Sequence, residues 1–241
     1  MPNQATAFVS AINTFRAKYG CIPGDCANAT DFFGEDEGSG TTACDAPGGL
    51  PNDRAANAAG ACNGNGDGTL DGTYLPGATA AEGLEAWRQL AKAQLISGSY
   101  SGSFCDTLCP GNIVTFASGY NCPAVLDGPV CWLMGTGAWN GSGLFYYMSL
   151  FPVVAARPSG TYLAMHNLRS AGLPSYALSP SAALFYDSKY DDGQALTGNV
   201  IVTLHSAIAN CLTGYVVGAN YAAAGTGKES ASCNMMQRIW Q

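Results

Sequence analysis

Apolar side chains recur at Phe8, Ala11, Ile12, Phe15 and Tyr19, three and four residues apart. That spacing predicts an amphipathic helix from about Asn3 to Tyr19. Cys21-Ile22-Pro23-Gly24-Asp25 ends it, because proline and glycine cannot carry a helix onward. Residues 21–78 are rich in Gly, Ala and Asp without sustained periodicity and predict a loop region held by disulfides. A second helix is expected over 79–97. Thr79 stands three residues before Glu82 as in a capping box, and Leu84, Trp87, Leu90, Ala91 and Leu95 make one apolar stripe that must lie on the core.

Beyond the second helix the period changes. Apolar and β-branched runs near Asn112–Ala117, Val130–Met134, Leu144–Val154, Thr161–Leu168 and Val200–Leu204 are separated by Gly, Pro and Asn clusters, the pattern of short antiparallel strands. One helix interrupts them near 180–192, with Ser179 as N-cap, Pro180 in the first helical position and Gly193 as the stop. The tail from Tyr215 to Gln241 shows no readable pattern. The class expected is α+β in one domain spanning 1–241, with its sheet in 110–241.

Composition sharpens this reading. Only 11% of residues are charged while glycine numbers 31, which describes long polar loops on a globular core rather than disorder. The net charge of −7 disfavours nucleic acid as a partner. Asp25, Asp31, Glu35, Asp36, Glu37, Asp45, Asp53, Asp67 and Asp71 face a single nearby base, Arg54, and predict a solvated or cation-binding surface. The ten cysteines include no Cys-x-x-Cys pair, so disulfides in an oxidising compartment fit better than zinc. Local pairs close most easily. Cys21–Cys26 is the first expected, followed by Cys44/Cys62, Cys105/Cys109, Cys122/Cys131 and Cys211/Cys233, although spacing does not fix connectivity. Neither a signal peptide nor an apolar run of membrane length opens the chain, so a longer amino-terminal segment is expected to have preceded Met1-Pro2-Asn3.

Four segments in order, AFVSAINTFRAKYGCIPGDCANATDFFG, GNGDG at Gly64–Gly68, EAWRQLAKAQLISGSYSG and SPSAALFYDSKYDDGQALTGNV, make up 73 of the 241 residues. Together they resemble prepilin-type proteins, the family of type IV pilins and type II secretion pseudopilins. The resemblance implies a truncated N-terminal helix, residues 1–20, packed on an antiparallel sheet. Phe8, Ala11, Ile12, Phe15 and Tyr19 would be the lower part of a rod whose apolar upper part builds a filament core. It implies a structural subunit rather than an enzyme, located in the bacterial periplasm, at the cell surface or in an extracellular filament. Its partners would be copies of itself or other pilin-like subunits and the inner-membrane assembly machinery, with membrane contact only through the missing segment. A minor or tip subunit, acting as an adhesin or ligand-binding module stabilised by calcium, is the alternative.

No cofactor is required by this reading, but two places offer oxygen ligands for calcium. Asn63, Asn65, Asp67, Thr69 and Asp71 alternate with glycines as in the first part of an EF-hand loop, yet Tyr74 stands where a bidentate Glu is wanted unless Glu82 or Glu85 reaches across. A tight polar turn explains the same residues. Asp187, Asp191 and Asp192 gather carboxylates at a helix end whose dipole opposes them, so Lys189, an arginine or a cation should compensate. His166 and His205 are expected in or beside the core. Trp132, Trp139, Phe145, Tyr146, Tyr147 and Phe151 read mostly as core, with Trp139 a candidate for subunit or carbohydrate contact.

Overall fold

A computed structural model describes residues 2–34, 59–70, 82–102, 119–125, 130–137, 160–167, 177–195, 197–203, 211–213, 221 and 233–240. The opening periodicity is realised as helix α1, Pro2–Tyr19. Ala5, Phe8, Ala11, Ile12 and Phe15 are buried, Tyr19 is half-buried, and Asn3, Ser10, Asn13 and Ala17 lie on the exposed side. Burial of Phe8, Ile12 and Phe15 contributes roughly 1.5–3 kcal/mol each. The Phe8 ring meets Trp87 edge-on at 5.0 Å and Trp132 at 6.0 Å. Gln4 fixes the same face by accepting from Trp132 Nε1 at 3.0 Å and donating to the Ala124 carbonyl at 2.7 Å.

The sheet joins β1 (Val130–Gly137), β2 (Gly160–Asn167), β3 (Val200–Thr203) and β4 (Asn234–Trp240) in the antiparallel order β1-β2-β4-β3. Trp132 pairs with Met165 and Ala164 with Met236, which in turn pairs with Ile201. Consecutive residues Trp132, Leu133 and Met134, and likewise Tyr162 to Met165, are all buried, so both faces of β1 and β2 are covered there. The fold class is α+β as expected. The tail that resisted reading supplies β4, an inner strand, and three expected strands appear at their places. The runs at 112–117 and 144–154 lie outside the described residues.

Two helices depart from expectation. The stretch expected as loop contains a short helix α2, Ala29–Phe33, whose Phe33 packs with Phe15 and Tyr19. The second long helix, α3, is described over Glu82–Lys92 and ends short of the expected 97, while residues 79–81 lie outside the described residues. It ends where Gln94 takes φ 59° and Leu95 N–H donates to the Leu90 carbonyl at 3.0 Å, yet Leu95 and Ile96 still pack on the core from the following turns. Thr79, its expected cap, lies outside the described residues. Helix α4, Pro180–Tyr190, begins on Ser179, whose Oγ accepts from Ala182 N at 3.2 Å.

Three disulfides among the described residues join local pairs as expected: Cys21–Cys26, Cys122–Cys131 and Cys211–Cys233. Cys62 is also disulfide-bonded, while Cys44, Cys105 and Cys109 lie outside the described residues. Such bonds place the chain in an oxidising compartment, periplasmic or extracellular. No helix among the described residues is long and apolar enough to cross a membrane.

Candidate functional site

Two buried aspartates organise the polar interior. The first, Asp25, follows the turn that ends α1 and is only 3% exposed. Its Oδ1 accepts from the amides of Gly66 at 2.7 Å and Asp67 at 3.1 Å, and its Oδ2 from Gly68 at 2.9 Å. Three successive amides thus form a nest around one carboxylate. Burial raises the Asp25 pKa above the ordinary range and nearby Asp67 adds to this, while the amides pull it down. Asp67 itself is held below that range by the hydroxyl and amide of Thr69.

The turn and the nest are pressed onto α3. Gly24 donates to Gln89 Oε1 at 2.7 Å, and a Cβ on Gly24 would stand 2.2 Å from the Glu82 carbonyl oxygen. A Cβ on Gly64 would stand 2.4 Å from the Asp25 Cα. The side of α3 opposite its apolar stripe is buried too. Glu82 accepts from Asn65 N at 3.0 Å, Glu85 from Cys62 N at 2.8 Å, and Gln89 donates to the Cys62 carbonyl at 2.9 Å. Arg88, 1% exposed, donates to the carbonyls of Ala59, Gly60 and Ser101, each at 3.0 Å. This helix is a polar latch on one side and a core element on the other.

The expected calcium loop is therefore occupied differently. Asn63 Oδ1 accepts from Thr30 N at 2.9 Å, Asn65 Oδ1 from Asp67 N at 3.0 Å, and Asp67 Oδ1 from Thr69 N and Oγ1 at 2.8 and 2.7 Å. Glu82 and Glu85 do reach across, but to amides. What converges here is a set of N–H donors on a carboxylate, the reverse polarity of a cation cage; Asp71 lies outside the described residues. No local signal marked Asp25, which sequence reading placed with its acidic neighbours on a solvated or cation-binding surface, because the amides it meets lie 41–43 residues away.

The second centre is at the end of α4. Asp187 is fully buried, with Oδ2 accepting from Tyr221 OH at 2.7 Å and Oδ1 from Gly193 N at 3.2 Å. Asp191 Oδ2 accepts from Asn199 N and from Val200 N, the latter at 2.8 Å. Asp192 accepts from Gln194 N at 2.8 Å and Thr197 Oγ1 at 2.5 Å. A Cβ on Gly198, at φ +73°, would overlap the Asp191 carboxylate, so glycine is required there. One oxygen of each of these three aspartates lies within 4.8 Å of the others. Burial, with the charges of Asp192 and Asp191, pushes the Asp187 pKa up to about 6 despite the Tyr221 and Gly193 hydrogen bonds. Lys189, the expected compensating base, lies over the Tyr190 ring at 5.6 Å. The structure thus brings together all three aspartates chosen from sequence.

Of the other residues singled out, Trp132 is core and His166 falls in β2, while His205, Trp139, Phe145, Tyr146, Tyr147 and Phe151 lie outside the described residues. No family model, curated protein or solved structure matches the chain.

Proposed function

We propose that this chain is the folded head of a pilin-like filament subunit, of a type IV pilus or a type II secretion pseudopilus. The observation that carries the reading is α1: it buries Phe8, Ile12 and Phe15 along one side, with Phe8 on Trp87 of α3 and Trp132 of β1 and Phe15 against Phe33 of α2, while Ser10, Asn13 and Ala17 form an uncovered side. A helix so divided suits a rod with one side on its own head and the other available to neighbouring rods. The reading requires an apolar continuation of α1 upstream of Pro2 and assigns the chain copies of itself or related subunits as partners. It makes the head a packing unit and not an enzyme.

The same reading puts calcium at Asp187, Asp191 and Asp192, the one group of three acidic ligands among the described residues close enough to share a cation. The filament reading is tested by placing a photo-crosslinking amino acid at Asn13 or Ala17 of the full-length protein in its native cell. Subunit ladders on illumination support it. Monomer alone, with the protein abundant in the envelope, sinks it.

A further inference from the structure

Asn63-Gly64 and Asn65-Gly66, with both asparagines exposed and Gly64 half-buried, are Asn-Gly steps, the sequence most open to spontaneous deamidation because glycine leaves the following amide unhindered. The reaction needs no cofactor. The glycine amide nitrogen, after losing its proton to base, attacks the asparagine Cγ. A new N–C bond forms, the Cγ–Nδ2 bond breaks and ammonia leaves with the proton taken up. Water then opens the succinimide to aspartate or isoaspartate.

In this fold both halves of each reacting pair are engaged. At the second step the Gly66 amide donates to Asp25 Oδ1 at 2.7 Å, and the Asn65 side chain accepts from Asp67 N at 3.0 Å while donating to Asp67 Oδ2 at 3.2 Å. At the first, Gly64 N donates to the Cys26 carbonyl at 3.0 Å and Asn63 Oδ1 accepts from Thr30 N at 2.9 Å. An amide that donates to a carboxylate is harder to deprotonate, and both partners must leave their hydrogen bonds before they can meet. The restraints on Asn63 and on both glycine amides lead back to the segment 25–30, stapled at its start by Cys21–Cys26, while Asp67 holds the Asn65 side chain.

We infer that Asn65-Gly66 and Asn63-Gly64 are latent modification sites, held unreactive by this segment, with Asp25 the specific guard of Asn65. Release would turn Asn65 into a carboxylate beside Asp67 and near Asp25, so one event would add a like charge to the nest and loosen it further. The guard would preserve a long-lived exported chain, and it does not depend on the filament reading.

The test follows isoaspartate at both positions by peptide mass spectrometry, in mildly alkaline buffer, for the folded oxidised chain and for the same chain reduced in denaturant. Folded protein should react about ten- to a hundredfold more slowly at Asn65, the factor expected for first breaking a charge-assisted hydrogen bond, and about two- to tenfold more slowly at Asn63, whose hydrogen bonds are neutral. Asp25→Asn, which removes the charge and one acceptor, should accelerate Asn65 by about tenfold or more and leave Asn63 unchanged, since the restraints on Asn63 run to Cys26 and Thr30. Equal rates at Asn65 in folded and denatured chains overturn the inference. So does an Asp25→Asn protein in which Asn65 is no faster, or in which both sites accelerate alike, because protection would then belong to general folding and not to Asp25.

Discussion

Asp25 and Asp187 are both buried carboxylates placed just after or at the end of a helix, and they solve the same problem with different completeness. Asp25 collects three successive amides from one loop and has one carboxylate, Asp67, among its near neighbours. Asp187 collects one amide and one phenol, and two further carboxylates crowd it. Fixed N–H dipoles can stand in for a counter-ion when enough of them are aimed at the charge. The first centre is therefore complete as a structural latch, while the second is short of positive charge and is where solution conditions should act.

The largest expected effect tests the latch at its tightest point. Gly24→Ala places a methyl 2.2 Å from the Glu82 carbonyl at φ +93°, where space and backbone both oppose it. Destabilisation of roughly 3 kcal/mol or more is expected, read as a lower midpoint in urea unfolding. Gly20→Ala, also at positive φ but with nothing within 4 Å of its Cβ, should cost about 1 kcal/mol. Equal losses would mean that α3 does not hold the turn.

Next comes Asp25→Ala, which leaves the Gly66, Asp67 and Gly68 amides without their acceptor. A loss of about 2–3 kcal/mol is expected, with Asp25→Asn intermediate. The corresponding change at the other centre should behave differently. Because the folded pKa of Asp187, about 6, lies above its ordinary 3.8, the folded chain keeps this proton through the window in which the unfolded chain has lost it. The contribution of Asp187 to stability should then fall as pH rises from about 4 to 6, by about 3 kcal/mol, and stay lost above that window. The groups facing it are Asp191, Asp192 and Tyr221. In chelator, Asp187→Asn should match wild type near the low end of that window and exceed it at neutral pH, since a carboxamide oxygen still accepts from Tyr221. Added calcium should restore wild type and do little for Asp187→Asn. A wild-type midpoint indifferent to chelator and calcium would sink the cation reading, and the absence of a slope difference would show that the crowding is relieved by other means.

The two centres also differ in how far the sequence reveals them. Asp187, Asp191 and Asp192 sit on one helix end, so local spacing brings them together before any tertiary contact is known. Asp25 meets its amides about forty residues further along the chain, and an acid in a polar loop reads as solvated. Arg88 and Gln89 do not announce themselves for the same reason: polar positions opposite an apolar stripe ordinarily face water, and here a disulfide-bonded loop covers them, as it does Glu82 and Glu85, which reach across to it as expected but meet amides. Helices α1 and α4 were legible from period and cap, and β1, β2 and β3 from their apolar runs. Strand β4 was not, because the adjacent Met235 and Met236 are both buried and Gln237 and Arg238 follow, leaving no alternation to read. Five-residue α2 is too short to show a period.

The smallest expected effect on the folded chain lies on the exposed side of α4. Phe185 is 64% exposed and Leu184 42%, while Tyr186 on the same helix is buried and donates to Gln237 Oε1 at 2.6 Å. Phe185→Ser removes a ring that the fold scarcely packs, so the stability read from unfolding should change by no more than about 0.5 kcal/mol. Tyr186→Phe, which leaves Gln237 without its donor, should cost about 1 kcal/mol. If the head packs laterally in a filament, Phe185→Ser should reduce assembled material recovered from cells with the soluble fold intact. A loss of stability as large as that of Tyr186→Phe would instead show that Phe185 serves its own chain.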